Sequence, residues 1–156
     1  MVGKIEARLG EIGLVLPPRM PPIANYVTYV VTGSLVVVSG QLPSENGKIA
    51  VTGKLGEGVS VEEGMRAAGL CLANVLSHLL GACEGDLGRV RRVVRLGGFI
   101  ACVPGFTQHA AVMNGASDLA VAVFGEAGKH ARSTIGVPSL PLDAAVEVEG
   151  MFEISV

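Results

Sequence analysis

An α+β fold, a mixed β-sheet with two helices packed on one face, is predicted by three features of this sequence. Its 156 residues correspond to one domain, at roughly 100–200 residues per domain. Such a chain buries on the order of 68–70% of its unfolded surface, so its core needs no staples. Apolar residues recur with helical period in two long segments and with period two elsewhere, in the order ββ(β)αβαββ. The last strand alternates between apolar and acidic positions, which marks a sheet covered on one side only.

Ile5, Leu9 and Ile12 lie at helical spacing, with Lys4, Glu6, Arg8 and Glu11 on other faces, and predict a short amphipathic helix over residues 3–14. The prolines of Leu16-Pro17-Pro18-Arg19-Met20-Pro21-Pro22 end it. Residues 1–21 are therefore a helical extension with a Pro-rich linker on a single domain spanning 1–156. Tyr26–Val31 and Leu35–Ser39 flank the turn Thr32-Gly33-Ser34 as a hairpin, and Asn46-Gly47 signals another leading toward Lys48–Thr52. Ser60 and Glu63 have capping-box spacing. The helix they open carries Met65, Ala68, Leu72, Val75, Leu76 and Leu79 on one stripe, with Gly81 as its stop. Val90–Leu96 and Phe99–Val103 return as strand. Pro104-Gly105-Phe106-Thr107 then turns into a second helix, with Met113, Ala116, Leu119, Ala120 and Val123 inward and Gly125 or Gly128 at its end. Ala131–Val137 and Val146–Val156 close the chain as strands around Pro138–Pro141.

Composition narrows the function. Charged residues are 17% against a usual ~25%, and the 22 glycines are about twice the usual share. With no Trp, two Tyr and four Phe, the core must be built from Val, Leu, Ile and Ala. A net charge of −2 argues against a globally basic nucleic-acid binder. Cys71, Cys83 and Cys102 show neither C-x-x-C nor zinc-ligand spacing and read as core fillers in a reducing compartment. No signal-peptide core opens the chain, and no stretch approaches the ~18 uninterrupted apolar residues of a membrane span. The expectation is a cytoplasmic protein without membrane partners.

In the last strand Glu147, Glu149, Met151, Glu153 and Ser155 share one face, and Val146, Val148, Phe152, Ile154 and Val156 the other. The apolar face takes the helices, so the acidic face meets water or another subunit, and the low overall charge favours a subunit. Arg132, Thr134 and Gly136 share a face of the preceding strand. A hairpin of these two strands would set Arg132 beside a carboxylate.

Tyr26, then Ser39-Gly40-Gln41-Leu42-Pro43, Asn114, Ala131-Arg132-Ser133, Leu140-Pro141 and Val146-Glu147-Val148-Glu149 together resemble the RidA/YjgF family over residues 22–156. Its members are reactive-intermediate imine deaminases, also called endoribonuclease L-PSP or translation initiation inhibitor. Asn114-Gly115-Ala116-Ser117-Asp118 and Gly125-Glu126-Ala127-Gly128 look most like a longer-chain branch with an N-terminal extension. The resemblance implies a chorismate-mutase-like fold, a homotrimer, and a ligand cleft at each subunit interface. It implies no metal and no organic cofactor.

By that resemblance Arg132 binds the substrate carboxylate, for which a planar guanidinium with two parallel N–H donors is suited. The plainer alternative is an ion pair with Glu147 or Glu149 that only neutralises the acidic face. Glu147, fifteen residues later, matches the catalytic glutamate, since imine hydrolysis needs a delivered water and proton transfer as ammonia leaves. Glu149 is a reserve candidate, and Glu153 reads as solvated. Tyr26, Ser39, Gly40 and Asn114 match cleft-lining positions, although Tyr26 also suits a strand start and Asn114 an exposed helix position. Thr134 stands where the family often has Cys; it keeps a backbone role toward ligand or water and removes any thiol chemistry. His78 reads as a helix-surface or interface residue, His109 as part of a helix's first turn, and His130 as a flank of the cleft. No Cys-His or Ser-His-Asp signature and no Walker loop is present.

The expected function is hydrolysis of 2-enamine or 2-imino acids to 2-keto acids and ammonia, with a small imino or keto acid as partner. A small-carboxylate-binding protein without turnover is the alternative. An endoribonuclease or translation inhibitor is third, resting on the family's names and on Arg89, Arg91 and Arg95, expected on one strand face.

Overall fold

Helix boundaries follow local chemistry. In the computed structural model, which describes residues 2–156, α1 is Lys4–Glu11, α2 Val61–Ala82 and α3 His109–Phe124. Met1, at the head of the expected extension, lies outside the described residues. Ser60 and Glu63 cap α2 reciprocally, with Glu63 N donating to Ser60 Oγ at 3.1 Å and Ser60 N to Glu63 Oε2 at 2.7 Å. Gly81 does not stop α2. The helix runs to Ala82, and the left-handed residues Glu84 (φ 56°) and Gly85 (φ 90°) turn the chain after Cys83. Arg19 of the linker lies against Gly81, where any side chain would meet it. Gly125, with φ 63°, ends α3.

The strands are β1 Tyr29–Thr32, β2 Leu35–Gln41, β3 Ser44–Glu45, β4 Lys48–Ile49, β5 Lys54–Leu55, β6 Gly58–Val59, β7 Val90–Ala101, β8 Ala131–Val137 and β9 Val146–Ile154. β1 and β2 form the expected hairpin, but β1 starts at Tyr29 rather than Tyr26, which lies in the irregular segment before it. Asn46 (φ 53°) and Gly47 (φ 76°) turn β3 into β4, but that ladder stands apart from the main sheet, as does the parallel pair β5–β6.

The main sheet has the order β1-β2-β9-β7-β8. All its pairs are antiparallel except β7–β8, whose crossover is α3. The last two strands therefore form no hairpin, because β7 separates them. β8, largely exposed and carrying Gly136, suits an edge, whereas β9, buried at every second residue from Val146 to Ile154, takes the centre. Val156 lies past the strand end and is exposed.

The two expected strands at 90–103 are one strand, β7, with register shifts between Val90 and Arg92 and between Val93 and Arg95. The shifts dismantle the expected basic row. Arg89 sits in the 3-10 turn Leu87–Arg89 on Glu84 at 2.8 Å, Arg91 falls within the first register shift, and only Arg95 of the three keeps a ladder partner, Met151.

α2 and α3 cover one sheet face, and α1 packs on α3 as a third member of the helix layer. Val36, Val38, Leu72, Leu76, Leu79, Leu96, Ile100, Val148 and Phe152 are fully sequestered between the layers, as the composition required. α2 is long and apolar enough to cross a membrane, but here most of its residues from Ala67 to Leu79 are core. His78 is buried at 3% exposure rather than on the surface, because the linker lies over α2. Ser77 Oγ donates to Pro17 O at 2.7 Å, and burial together with the Arg19 charge holds the His78 pKa down.

Candidate active site

The sheet register sorts the expected site residues into two groups. Arg132 pairs with Leu96 and Thr134 with Gly98, both buried on the helix side, so Arg132 and Thr134 face α3. Glu147 pairs with Phe99 on the opposite, open side. Arg132 and Glu147 thus lie on different faces of one sheet, and among the described residues no carboxylate pairs with Arg132.

Arg132 is held instead by neutral acceptors. Nη1 donates to Asn114 Oδ1 at 2.9 Å and to Ser117 Oγ at 3.0 Å, and Nη2 donates to Ala110 O at 3.3 Å. Residues 110, 114 and 117 share one stripe of α3 by helical spacing, which is why a single helix can grip the whole guanidinium end. Among the described residues Arg132 forms no ion pair. Nε–H and the second Nη2 hydrogen are left, enough for one two-point carboxylate contact. Thr134 Oγ1, on the same side, is buried and forms no hydrogen bond.

Glu147 stands against Gly40, where β2 loses register with β9 between Val38 and Gln41. A Cβ at Gly40 would collide with its carboxyl, so glycine is what lets the acid fit there. Glu147 is half-buried and forms no hydrogen bond or ion pair among the described residues. Burial, and then the neighbouring Glu149 charge, push its pKa up. Glu149 is different, with Arg95 Nη1 at 3.5 Å. The reserve candidate therefore has a cation and the preferred one does not.

Tyr26, 44% exposed, and Gly40 line a cleft of about 410 Å³ whose wall includes Met20, Pro21, Pro22 and Ile23. The end of the linker thus shapes the space beside Gly40. Ser39 lends its side chain to the scaffold: Oγ donates to Val27 O at 2.8 Å. A larger cavity of about 620 Å³, between Gly13–Pro18, the 44–47 turn and α2, holds none of the expected site residues.

Ser117 is a site residue that no motif marks, and its three-residue offset from Asn114 is the signal in the sequence for it. His130 does flank Arg132, through Ser117 Oγ at 2.9 Å from Nε2. His109 begins α3 as expected and lies 3.6 Å from Cys102 Sγ, a Cys-His pair that no sequence spacing signalled. Cys71 is core filler, buried with Sγ donating to Val146 O at 3.4 Å and its pKa pushed well up, chiefly by burial.

A profile of the YjgF/chorismate-mutase-like endoribonuclease family matches residues 6–154. The chain belongs to that family. Protein TCP17 of Trypanosoma cruzi is 46% identical over 154 residues, which is 98% of this chain and 96% of that one. The crystal structure of Agrobacterium tumefaciens protein Atu1372, of unknown function, matches with a TM-score of 0.91 at 49% identity, covering 97% of this chain and 92% of that one. A Shewanella oneidensis protein described in endoribonuclease terms matches with a TM-score of 0.94 at 36% identity, covering 97% and 100%. The mixed sheet with its helix layer is the YjgF fold, and the two solved relatives match nearly the whole length of this family member.

Proposed function

We propose that this YjgF/RidA-family protein hydrolyses 2-enamine and 2-imino acids, in clefts where the Arg132 group of one copy meets the Glu147 group of the next. One 2-imino acid and one water give one 2-keto acid and one ammonia. The observation that carries the reading is a guanidinium pinned by three neutral acceptors, with no carboxylate partner and two donors to spare. Such a group favours a monocarboxylate ligand, because two charge-assisted bonds then form without breaking an internal pair.

Glu147 supplies the complementary half. A carboxyl with a raised pKa exchanges protons more readily near neutral pH than an ordinary glutamate does. It would take a proton from water as the oxygen adds to the C=N carbon, then return it to the departing nitrogen. Gly40, Tyr26 and the linker wall would bound the space, with Asn114 orienting Arg132 and Thr134 offering a spare hydroxyl. Since Arg132 and Glu147 lie on opposite faces within one chain, they can cooperate only across a subunit boundary. The exposed Val30, Val37 and Ile135 on the open face favour such an assembly, and a homotrimer is our reading of it.

Carboxylate binding without turnover rests on the same guanidinium and differs only in giving Glu147 no role. An endoribonuclease is less well supported, since Arg89 and Arg95 stand beside carboxylates and make no continuous basic surface. The test generates 2-aminoacrylate with a dehydratase and follows keto-acid release. Wild type should accelerate release, and Glu147→Gln should slow it by about 10²-fold or more with little change in KM. No acceleration by wild type overturns the hydrolase, and 2-oxobutyrate binding without turnover would leave the binding protein standing.

A further inference from the structure

Arg132 is aimed by a second residue layer that ends on a rigid backbone. His130 Nδ1 lies 2.5 Å from Gly128 O, and a carbonyl only accepts, so Nδ1 carries the proton. In the neutral ring Nε2 is then bare and accepts the Ser117 hydroxyl at 2.9 Å. That leaves the Ser117 lone pairs facing Arg132 Nη1 at 3.0 Å. The chain of bonds has one polarity: Arg132 donates to Ser117, Ser117 to His130, and His130 to Gly128. Gly128 is buried at the end of the 3-10 turn Gly125–Gly128, where a Cβ would strike the α3 carbonyl of Ala120. The anchor therefore moves only with α3 itself.

We propose that His130 is a positioning residue which, through Ser117, selects the edge of Arg132 presented to a carboxylate ligand. Nη1 is fully engaged by Asn114 and Ser117, so the guanidinium cannot turn about its long axis without breaking the relay. The edge carrying Nε–H and the second Nη2 hydrogen is left to the ligand. Without His130, Ser117 loses the acceptor that fixes its rotamer, so its oxygen no longer holds Nη1 in one place and the fork is freed to move. The inference rests on Arg132 as the carboxylate grip, but it is read out without any ligand as well.

Imidazole and guanidinium ¹⁵N spectra of the full chain test the relay directly. The neutral His130 ring should show the Nδ1–H tautomer, and the Arg132 N–H signals should be resolved in wild type. They should collapse in His130→Leu and persist in His130→Gln, whose amide oxygen can still accept from Ser117. The Nε2–H tautomer, or unchanged guanidinium signals in a folded His130→Leu, would overturn the relay. Binding of 2-oxobutyrate should weaken about tenfold in His130→Leu and recover in His130→Gln, with similar melting temperatures. Equal loss in both variants means a merely structural role and also overturns it. If wild type binds no 2-oxobutyrate, the carboxylate reading fails, and the spectra still decide the relay.

Discussion

The two faces of the central sheet contrast sharply in how they treat charge. On the helix side Arg132 sits at the edge of a closely packed layer, and three neutral acceptors set its direction. On the open side Glu147 lies in a gap left by Gly40, half-buried and without a partner among the described residues, on a face that also exposes Ile135 and Val37. One face orients a cation, and the other withholds water from an anion. Neither arrangement gains much as a purely structural device, because an unpaired half-buried carboxylate costs stability. Under the proposed function, the two groups are halves of a cleft that a neighbouring copy completes.

The largest effect should come from the open face. Ile135→Lys places a charge at a position 52% exposed in the single chain. If the face is an interface, the assembly should fall to monomers at micromolar concentration by sedimentation, with activity abolished and the far-UV spectrum kept. A fully active Ile135→Lys monomer would remove the shared cleft. On the other face, Arg132→Ala should lower kcat/KM by about 10²–10³-fold through loss of two charge-assisted bonds, and Arg132→Lys should not restore it. Turnover kinetics on 2-aminoacrylate read this out.

Packing precision on the covered side predicts the next effect. α2 and α3 approach so closely that a Cβ at Gly115 would enter the Met65 carbonyl. Gly115→Ala should cost about 3 kcal/mol, since backbone cannot step aside as a side chain can. A melting temperature lowered by about 10 °C would register it. The smallest effect is a pH dependence. The folded pKa of Glu147 is raised, so its ionisation costs more in the folded chain than in the unfolded one. That cost appears as pH rises past the unfolded value near ~4.3 and is complete above the folded pKa. Glu147→Gln should therefore melt slightly above wild type at pH 7 and level with it near pH 3.5. A less stable Gln variant at pH 7 would mean that a cation, such as Arg132 of a neighbouring copy, offsets the burial of Glu147 in the assembly.

Much of this was legible in the residues. The capping box at Ser60 and Glu63, the Asn46-Gly47 turn, and the alternation from Val146 to Ile154 are local patterns, and the structure keeps all three. The 110–114–117 stripe is likewise a local pattern of helical spacing. Which strands are neighbours is not written in any local pattern. Consecutive strands such as β8 and β9 commonly pair as a hairpin, yet here β7 lies between them and keeps Arg132 away from the carboxylates. The bulges in β7 shifted its arginines, and a shift of one residue exchanges faces. His78 looked like a surface residue because nothing in α2 reveals that the linker folds back over it.

By itself the sequence determined the kinds of element and their order, because those follow from periodicity and side-chain type within a few residues, and its family resemblance marked Arg132 and Glu147 as the candidate site residues. Only the tertiary structure decided that Arg132 and Glu147 face opposite ways, that Gly40 makes room for one, and that Ser117 and His130 steer the other. Those contacts join residues far apart in the chain, and their formation depends on sheet order and helix packing that no short window of sequence contains.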